Sequence, residues 1–438
     1  MSETNQIMKH YNLEPGDLVR IKKRDLVIEG IIMPPYIFTD PWVLVVKLRN
    51  GYNIGIHIEE IKELEIISRE SIREQTEEIK IISQKTDLPH IKIIGTGGTI
   101  ASFVDYLTGA VKPAVSVDEL LEMIPEALDI AYIESESIMN ILSENMRPEY
   151  WEIIAEKIYD VMKKNVYRGI VVTHGTDTMS FTASAMAFAI QSKNIPIVFV
   201  GSQRSSDRPS SDAALNFIGA LVAASKAPFA ESVIAMHNSS SDELIAVHRG
   251  VKVRKMHTSR RDTFKSINAK PLAYIDPIKK ELIIEETIYS PRSSEEPILL
   301  NGFEKRVALI YSYPGIQRDL IEYIIDSGYK GVVIAGTGFG HVPQDLIPIL
   351  KRGVDKGVAI AVTSQTLYGR VNLKVYQTGR EMLRAGVIPC EDMLPEVAYV
   401  KLSWVLYRAY DMDRIKEMML RNYAYEISMR HTEDLFIR

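Results

Sequence analysis

Apolar runs alternate with helix-periodic segments from residue 90 onward, which predicts an α/β fold for most of this 438-residue chain. Five closely spaced β-rich runs before residue 68 predict a small β-barrel of SH3 or Sm type ahead of it. Two loops rich in threonine and glycine each follow an apolar run directly, which is where open α/β sheets place their ligand sites.

The barrel, residues 1–67, rests on Leu18–Ile21, Val27–Met33, Trp42–Leu48, Tyr52–Ile58 and Leu64–Ile67. Asn50-Gly51 reads as a hairpin turn because that pair tolerates positive φ. Residues 68–89 are charged and helix-prone and end at Pro89, as a linker would. A large α/β domain follows over 90–290. Its expected strands are Ile91–Ile94, Gly169–Val172, Ile195–Val200 and Ser232–Met236. Its expected helices are Glu149–Met162 and Ser180–Lys193, the second with Phe181, Ala185, Phe188 and Ala189 on one face. Such alternation implies a parallel, helix-covered sheet. After a polar stretch, Tyr289–Pro297, a smaller α/β domain over 300–438 is built on Val307–Tyr311, Gly331–Ala335 and Val358–Thr363, with helices such as Asp319–Asp326 between them.

A net charge of −5 excludes a globally basic nucleic-acid binder, so any RNA contact needs a local basic patch or a partner. The single cysteine, Cys390, rules out an intramolecular disulfide and fits a reducing compartment. The N-terminus lacks a charged start followed by an apolar run, and no stretch approaches the roughly 20 apolar residues that span a bilayer. The expectation is a cytoplasmic chain with no membrane contact. No His, Cys and carboxylate cluster has zinc-ligand spacing, so no protein-bound metal is expected.

The two loops are Gly95–Ile100 and Thr173–Thr178. Glycine lets backbone amides approach a ligand, and amides at a helix start favour developing negative charge. A nucleotide site fits poorly. Ile100 stands where the dinucleotide fingerprint needs glycine, Gly336–Gly340 also fails, and no G-x-x-x-x-G-K-[ST] segment exists. A threonine hydroxyl is a weak nucleophile until a base or polarised network takes its proton. Asp177, beside Thr176, can orient such a base. Lysine is one candidate base, and Lys265 in Thr263-Phe264-Lys265-Ser266 is available. Tyr106, just after the first loop, can serve the other hydroxyl.

These residues resemble the signatures of the bacterial-type L-asparaginase and glutaminase family. The similar segments are Thr96-Gly97-Gly98-Thr99-Ile100-Ala101 and Thr173-His174-Gly175-Thr176-Asp177-Thr178-Met179. The likeness extends to Val200-Gly201-Ser202-Gln203-Arg204, Ser211–Asn216, Thr263–Ser266 and the C-terminal Ala385–Pro389 and Lys401–Leu406. The resemblance implies a two-domain L-asparaginase-like α/β fold after the barrel. It implies Thr99 as nucleophile, Tyr106 as the lid tyrosine, and Thr176, Asp177 and Lys265 as a second triad. It implies Ser143 and Glu144 as ligands of the substrate's α-carboxylate and α-ammonium groups. It also implies the backbone around Gly98, Gly175, Thr176 and Ser202 as holding the amide and its oxyanion. The family uses a glutamate from a neighbouring subunit, where this chain reads Tyr313-Pro314-Gly315, so at least a homodimer is expected.

Free-standing asparaginases begin close to the strand that leads into the first signature, whereas this chain spends some 88 residues before that strand. With Ser202–Leu215 reading SQRSSDRPSSDAAL, the arrangement is similar to the GatD family of archaeal glutamyl-tRNA(Gln) amidotransferases. That resemblance implies hydrolysis of glutamine or asparagine and release of ammonia to a separate partner chain, GatE. GatE would bind Glu-tRNA(Gln) and use ATP and magnesium, and this chain would carry no cofactor. The competing readings are a stand-alone L-asparaginase with a barrel appendage and a tRNA-binding module with a vestigial amidase centre. Among the remaining features, His174 reads as a packed turn histidine and Cys390 as structural. The basic run Arg249–Lys265 reads as structural or lid-like rather than phosphate-binding. Arg20–Arg24 reads as a solvated face.

Overall fold

The computed structural model describes residues 8, 10–23, 26–33, 42–48, 53–69, 84–98, 102–104, 111–113, 124–204 and 210–436. The expected Asn50-Gly51 turn, most of the linker, Arg24, Thr99 and Tyr106 lie outside them.

The first unit is a five-stranded antiparallel sheet. Its strands are β1 (Leu18–Lys23), β2 (Leu26–Ile32), β3 (Val43–Leu48), β4 (Asn53–His57) and β5 (Glu63–Ser68), in the order β4-β3-β2-β1-β5. Alternate residues turn inward, as a half-buried strand requires. Val19, Ile21, Ile32, Leu44, Val46 and Ile56 form its core. All five strands match the expected runs to within a residue or two at each end.

The second unit is an eight-stranded sheet. In chain order the strands are β6 (His90–Gly95), β7 (Tyr132–Ser137), β8 (Gly169–Thr173), β9 (Ile197–Val200), β10 (Ser232–His237) and β11 (Ile245–Arg249). A separate two-stranded hairpin, β12 (Val253–Lys255) and β13 (Phe264–Ser266), precedes β14 (Ala273–Asp276) and β15 (Glu281–Ile284). The large sheet runs β15-β14-β11-β10-β9-β8-β6-β7. The half from β7 to β10 is parallel, and β11, β14 and β15 pair antiparallel along its edge. The expected parallel sheet is therefore mixed. Of the three added strands β11 is buried throughout, whereas β14 and β15 have four residues each and β15 is largely exposed, so the outer two lack the continuous apolar run that marks a doubly covered strand. In the central strands successive residues serve two cores. Ile170, Val172, Ile197 and Phe199 face one, while Val171, Val198 and Val200 face the other.

Helix α1 (Pro148–Lys163) and helix α2 (Met179–Ala189) lie on the first face, and α3 (Ala213–Lys226) covers the second. The sequence suggested an α2 with one apolar face reaching Lys193. Instead the helix ends at Ala189 and is buried almost all round. One side packs on the sheet and the other on α4 (Pro395–Leu406) of the third unit. Phe188 stacks on Trp404 at 5.9 Å between ring centroids, so the two α/β units share one core. The third unit is a parallel sheet of β16 (Val307–Tyr311), β17 (Gly331–Gly336), β18 (Ala359–Ser364) and β19 (Ile388–Pro389). A buried Lys252–Asp392 ion pair at 2.6 Å also crosses between the two units.

Candidate functional site

The loops after β6, β8 and β9 meet at the carboxyl ends of three adjacent parallel strands. Thr96 donates from its hydroxyl to the Thr173 carbonyl (2.7 Å), and the His174 N–H donates to the Val200 carbonyl (2.9 Å). Gly98, at φ +96°, lies so close to the second loop that a Cβ there would stand 2.4 Å from the Gly175 nitrogen. Gly201 is equally confined, since its Cβ would stand 2.7 Å from the His174 carbonyl and 2.9 Å from the Thr176 methyl. Glycine is required at both places by contact with a neighbouring loop. Ser143 is buried on a 3-10 turn, Ser143–Asn145, and its carbonyl accepts the Thr178 hydroxyl at 2.7 Å. Glu144 is exposed on the same turn. Ser202 is buried directly after Gly201. Gly98, Ser143, Gly175, Thr176 and Ser202 thus gather around one spot.

The lysine at that spot is Lys255. Its Nζ donates to the Thr176 hydroxyl at 3.0 Å and to Asp177 Oδ1 at 2.7 Å. Lys265, the sequence candidate, donates instead to the Asn238 carbonyl (2.8 Å) and to Asp262 (3.2 Å). The hairpin register explains the correction. Arg254 pairs with Lys265 and Lys255 pairs with Phe264, so the two lysines project to opposite faces. Phe264 is fully buried and Lys255 shares its side, facing the loop after β8. The chain contains Val253-Arg254-Lys255, but no local pattern separates that lysine from its neighbours.

His174 is fully buried. Its Nδ1 lies 2.7 Å from the Gly175 carbonyl, and its Nε2 lies 2.9 Å from the Thr182 hydroxyl, which accepts from Trp151 Nε1. A carbonyl only accepts, so Nδ1 carries the proton and Nε2 receives the Thr182 hydrogen. Burial pushes the ring's pKa down to about 4. The histidine is a neutral brace for the loop, as a packed turn histidine should be. Cys390 is likewise buried, and burial pushes its thiol up to about 12, which leaves it inert as a nucleophile.

Beyond Asp177 and Lys255 a cleft of about 450 Å³ opens between the two α/β units, walled by Arg254, Tyr311 and Glu396. Tyr311 in the cleft wall and Tyr313 just after it are about half exposed, the latter in the region where a polar contact across subunits was expected. Among the described residues no group of three or more His, Cys, Asp or Glu side chains could hold a metal ion. No described helix is long and apolar enough to cross a membrane.

The chain matches three family models: the GatD N-terminal domain over residues 13–67, the N-terminal asparaginase domain over 90–287, and the glutaminase/asparaginase C-terminal domain over 306–419. It is 48% identical to the glutamyl-tRNA(Gln) amidotransferase GatD chain of Saccharolobus islandicus, over 99% of this chain and 97% of that one. Against the GatD chain of Thermococcus kodakarensis the identity is 48%, over 100% and 99%. The chain belongs to the GatD family of glutamyl-tRNA(Gln) amidotransferases. Solved structures agree on the fold. The thermostable L-asparaginase of Thermococcus kodakarensis superposes with a TM-score of 0.71 at 31% identity, covering 78% of this chain and all of that one. A probable cytoplasmic L-asparaginase of Campylobacter jejuni gives 0.66 at 29%, covering 76% and all of that chain. GatD proteins match along the whole length, including β1–β5, whereas the asparaginases leave about a fifth of the chain unmatched.

Proposed function

We propose that this chain is the glutamine-hydrolysing, ammonia-supplying component of a tRNA-dependent amidotransferase that converts Glu-tRNA(Gln) to Gln-tRNA(Gln). The observation that carries the chemistry is the Thr176–Asp177–Lys255 constellation at 3.0 and 2.7 Å, set against the glycine-rich first loop. Full-length likeness to GatD relatives, N-terminal sheet included, supports this reading over a stand-alone L-asparaginase.

In the proposed reaction the Thr99 hydroxyl, assisted by Tyr106, attacks the side-chain carboxamide carbon. The carbonyl oxygen becomes an oxyanion held by backbone N–H groups of the Gly98, Gly175 and Ser202 region. The C–N bond breaks, the nitrogen takes a proton, and ammonia leaves the glutamyl ester on Thr99. Water, polarised by Thr176 with Asp177 and Lys255, attacks that ester. Glutamate departs and the Thr99 hydroxyl is restored. Ser143 and Glu144 hold the α-carboxylate and α-ammonium groups. A homodimer completes the site, and two copies of a partner, GatE, make a cytoplasmic heterotetramer. GatE binds Glu-tRNA(Gln), activates the glutamyl carboxylate with ATP and magnesium, and receives the ammonia.

The test is reconstitution with the partner and Glu-tRNA(Gln). Glutamine-dependent formation of Gln-tRNA(Gln) supports the reading. Rapid asparagine turnover by this chain alone, unaffected by partner or tRNA, favours the asparaginase alternative. Thr99→Val and Thr176→Val should each lower kcat at least ~100-fold, the lower range for losing proton-transfer or oxyanion assistance. Wild-type rates in both variants would sink the mechanism.

A further inference from the structure

A second run of buried polar groups passes behind Thr176 without touching the triad. Asn216 lies on α3, Asp212 just before it and His237 at the end of β10, and all three are fully buried. Asp212 accepts the Gln203 N–H at 3.0 Å on each oxygen and the Arg204 N–H at 3.0 Å. Asn216 Nδ2 donates to Asp212 Oδ2 (2.9 Å) and to the Gly201 carbonyl (3.0 Å). Both amide hydrogens are therefore committed to acceptors, which fixes the amide orientation. Its Oδ1 then faces His237 Nδ1 at 2.6 Å, so that nitrogen donates. On the far side His237 Nε2 lies 3.3 Å from Asp242 Oδ1, a contact that is a hydrogen bond when the ring carries both protons, and Asp242 Oδ1 also takes Arg261 Nη1 at 2.5 Å. Arg261 donates further to the Ser240 carbonyl, and Lys265 holds the Asn238 carbonyl.

The two ends of this run are the two supports of Thr176. At one end Asn216 and Asp212 fix Gly201–Arg204, and Gly201 rests against the Thr176 methyl. At the other end Arg261 and Lys265 belong to the β12–β13 hairpin, whose first strand ends in Lys255. We infer that Asp212, Asn216 and His237 are positioning residues that tie the placement of the Gly201–Arg204 loop to that of Lys255. The two halves of the site then come into register together. Lys265, displaced from the triad, acquires a role as an anchor of the hairpin that delivers Lys255.

This inference rests on the proposed glutamine hydrolysis, and its experiment separates the two. In the complex with its partner, His237→Leu removes the donor to Asn216. It should lower kcat for glutamine by about 10- to 100-fold, the cost of a sub-ångström misplacement, with KM changed less than about 3-fold. His237→Gln, whose amide can still donate to Asn216, should recover most of that loss. Asp242→Ala alters the exposed end of the run, and the double variant His237→Leu/Asp242→Ala should be no slower than His237→Leu alone, because both break one path. Amide hydrogen exchange gives a readout that needs no activity. His237→Leu should speed exchange at Gly201–Arg204 and also at Val253–Lys255. Faster exchange around residue 237 only, strictly additive kcat losses, or a His237→Gln as slow as His237→Leu would each overturn the coupling. If the unmutated complex fails to hydrolyse glutamine while His237→Leu still speeds exchange in both segments, the coupling stands and the function is rejected.

Discussion

Strand β1 and the β12–β13 region both present runs of lysine and arginine, yet their cations live in different dielectric surroundings. On β1, Arg20 pairs with Glu29 and Glu65, Lys22 with Glu63 and Lys23 with Glu60, all across neighbouring strands or turns on the surface. The cluster is a self-neutralised, solvated ladder rather than an open phosphate-binding face. In the segment Arg249–Lys265 the first four cations reach inward. Arg249 meets Glu231, Lys252 meets Asp392, Arg254 meets Glu396 and Lys255 meets Asp177. Arg260, Arg261 and Lys265 meet Asp262, Asp242 and Asp262 in turn. This basic run is scaffold, with one of its lysines delivered to the site. A run of like charges in sequence says little until the dielectric around each partner is known.

The largest effect should come from the deepest pair of that basic run. Lys252 and Asp392 are only 2% and 0% exposed in their side chains, so Lys252→Met leaves a buried carboxylate with His431 at 2.9 Å as its neighbour. Loss of about 3–5 kcal/mol is expected by urea unfolding, and Lys252→Met/Asp392→Leu should restore much of it. A single variant as stable as the parent would erase the contrast with β1.

Acidification probes buried histidines in the same way. The His174 ring is neutral when folded, with a pKa held down to about 4 by burial against an ordinary 6.5. His248 behaves alike, held near 3 by burial and then by the charge of Lys265. Above pH 6.5 each ring is neutral folded or unfolded and costs nothing. As pH falls from there toward 4 only the unfolded chain takes up the proton, so stability drains away, on the order of 3 kcal/mol for His174 alone. A melting temperature that stays flat between pH 7 and 4.5 contradicts this. Lys255→Met tests function rather than stability. Glutamine turnover should fall at least ~100-fold, against less than ~10-fold for Lys265→Met. Equal losses would put Lys265 back in contention. The smallest effect belongs to β1, where Arg20→Ala or Lys22→Ala should move the melting temperature by no more than about 2 °C.

Much of the fold was legible because its signals are local. The five N-terminal strands alternate in burial along their own length, and the central strands β8, β9 and β10 have apolar middles, while β6 is interrupted only by Lys92. Strands β14 and β15, at the antiparallel end of the sheet, were not legible, since four residues apiece are too few to carry a periodic signature. Helix α2 misled for the opposite reason. Buried on nearly every side, it offers no single face, and only the packing of α4 onto it explains why.

The site divides along the same line. Both threonine-glycine loops could be read directly, because each is contiguous and sits where a strand ends. That Thr176 and Asp177 stand side by side needed nothing beyond the chain itself. Which lysine joins them was settled only in three dimensions. Lys255 and Lys265 both belong to a basic hairpin, and a single residue of strand register sends one to Thr176 and the other to Asn238. The buried run from Asp212 to His237 was equally invisible, because its members come from separate elements and meet only when α3 closes over the sheet. Sequence alone determined the chemistry available at the strand ends. Tertiary packing decided which charge serves it, because register and burial are properties of contacts that no local pattern encodes.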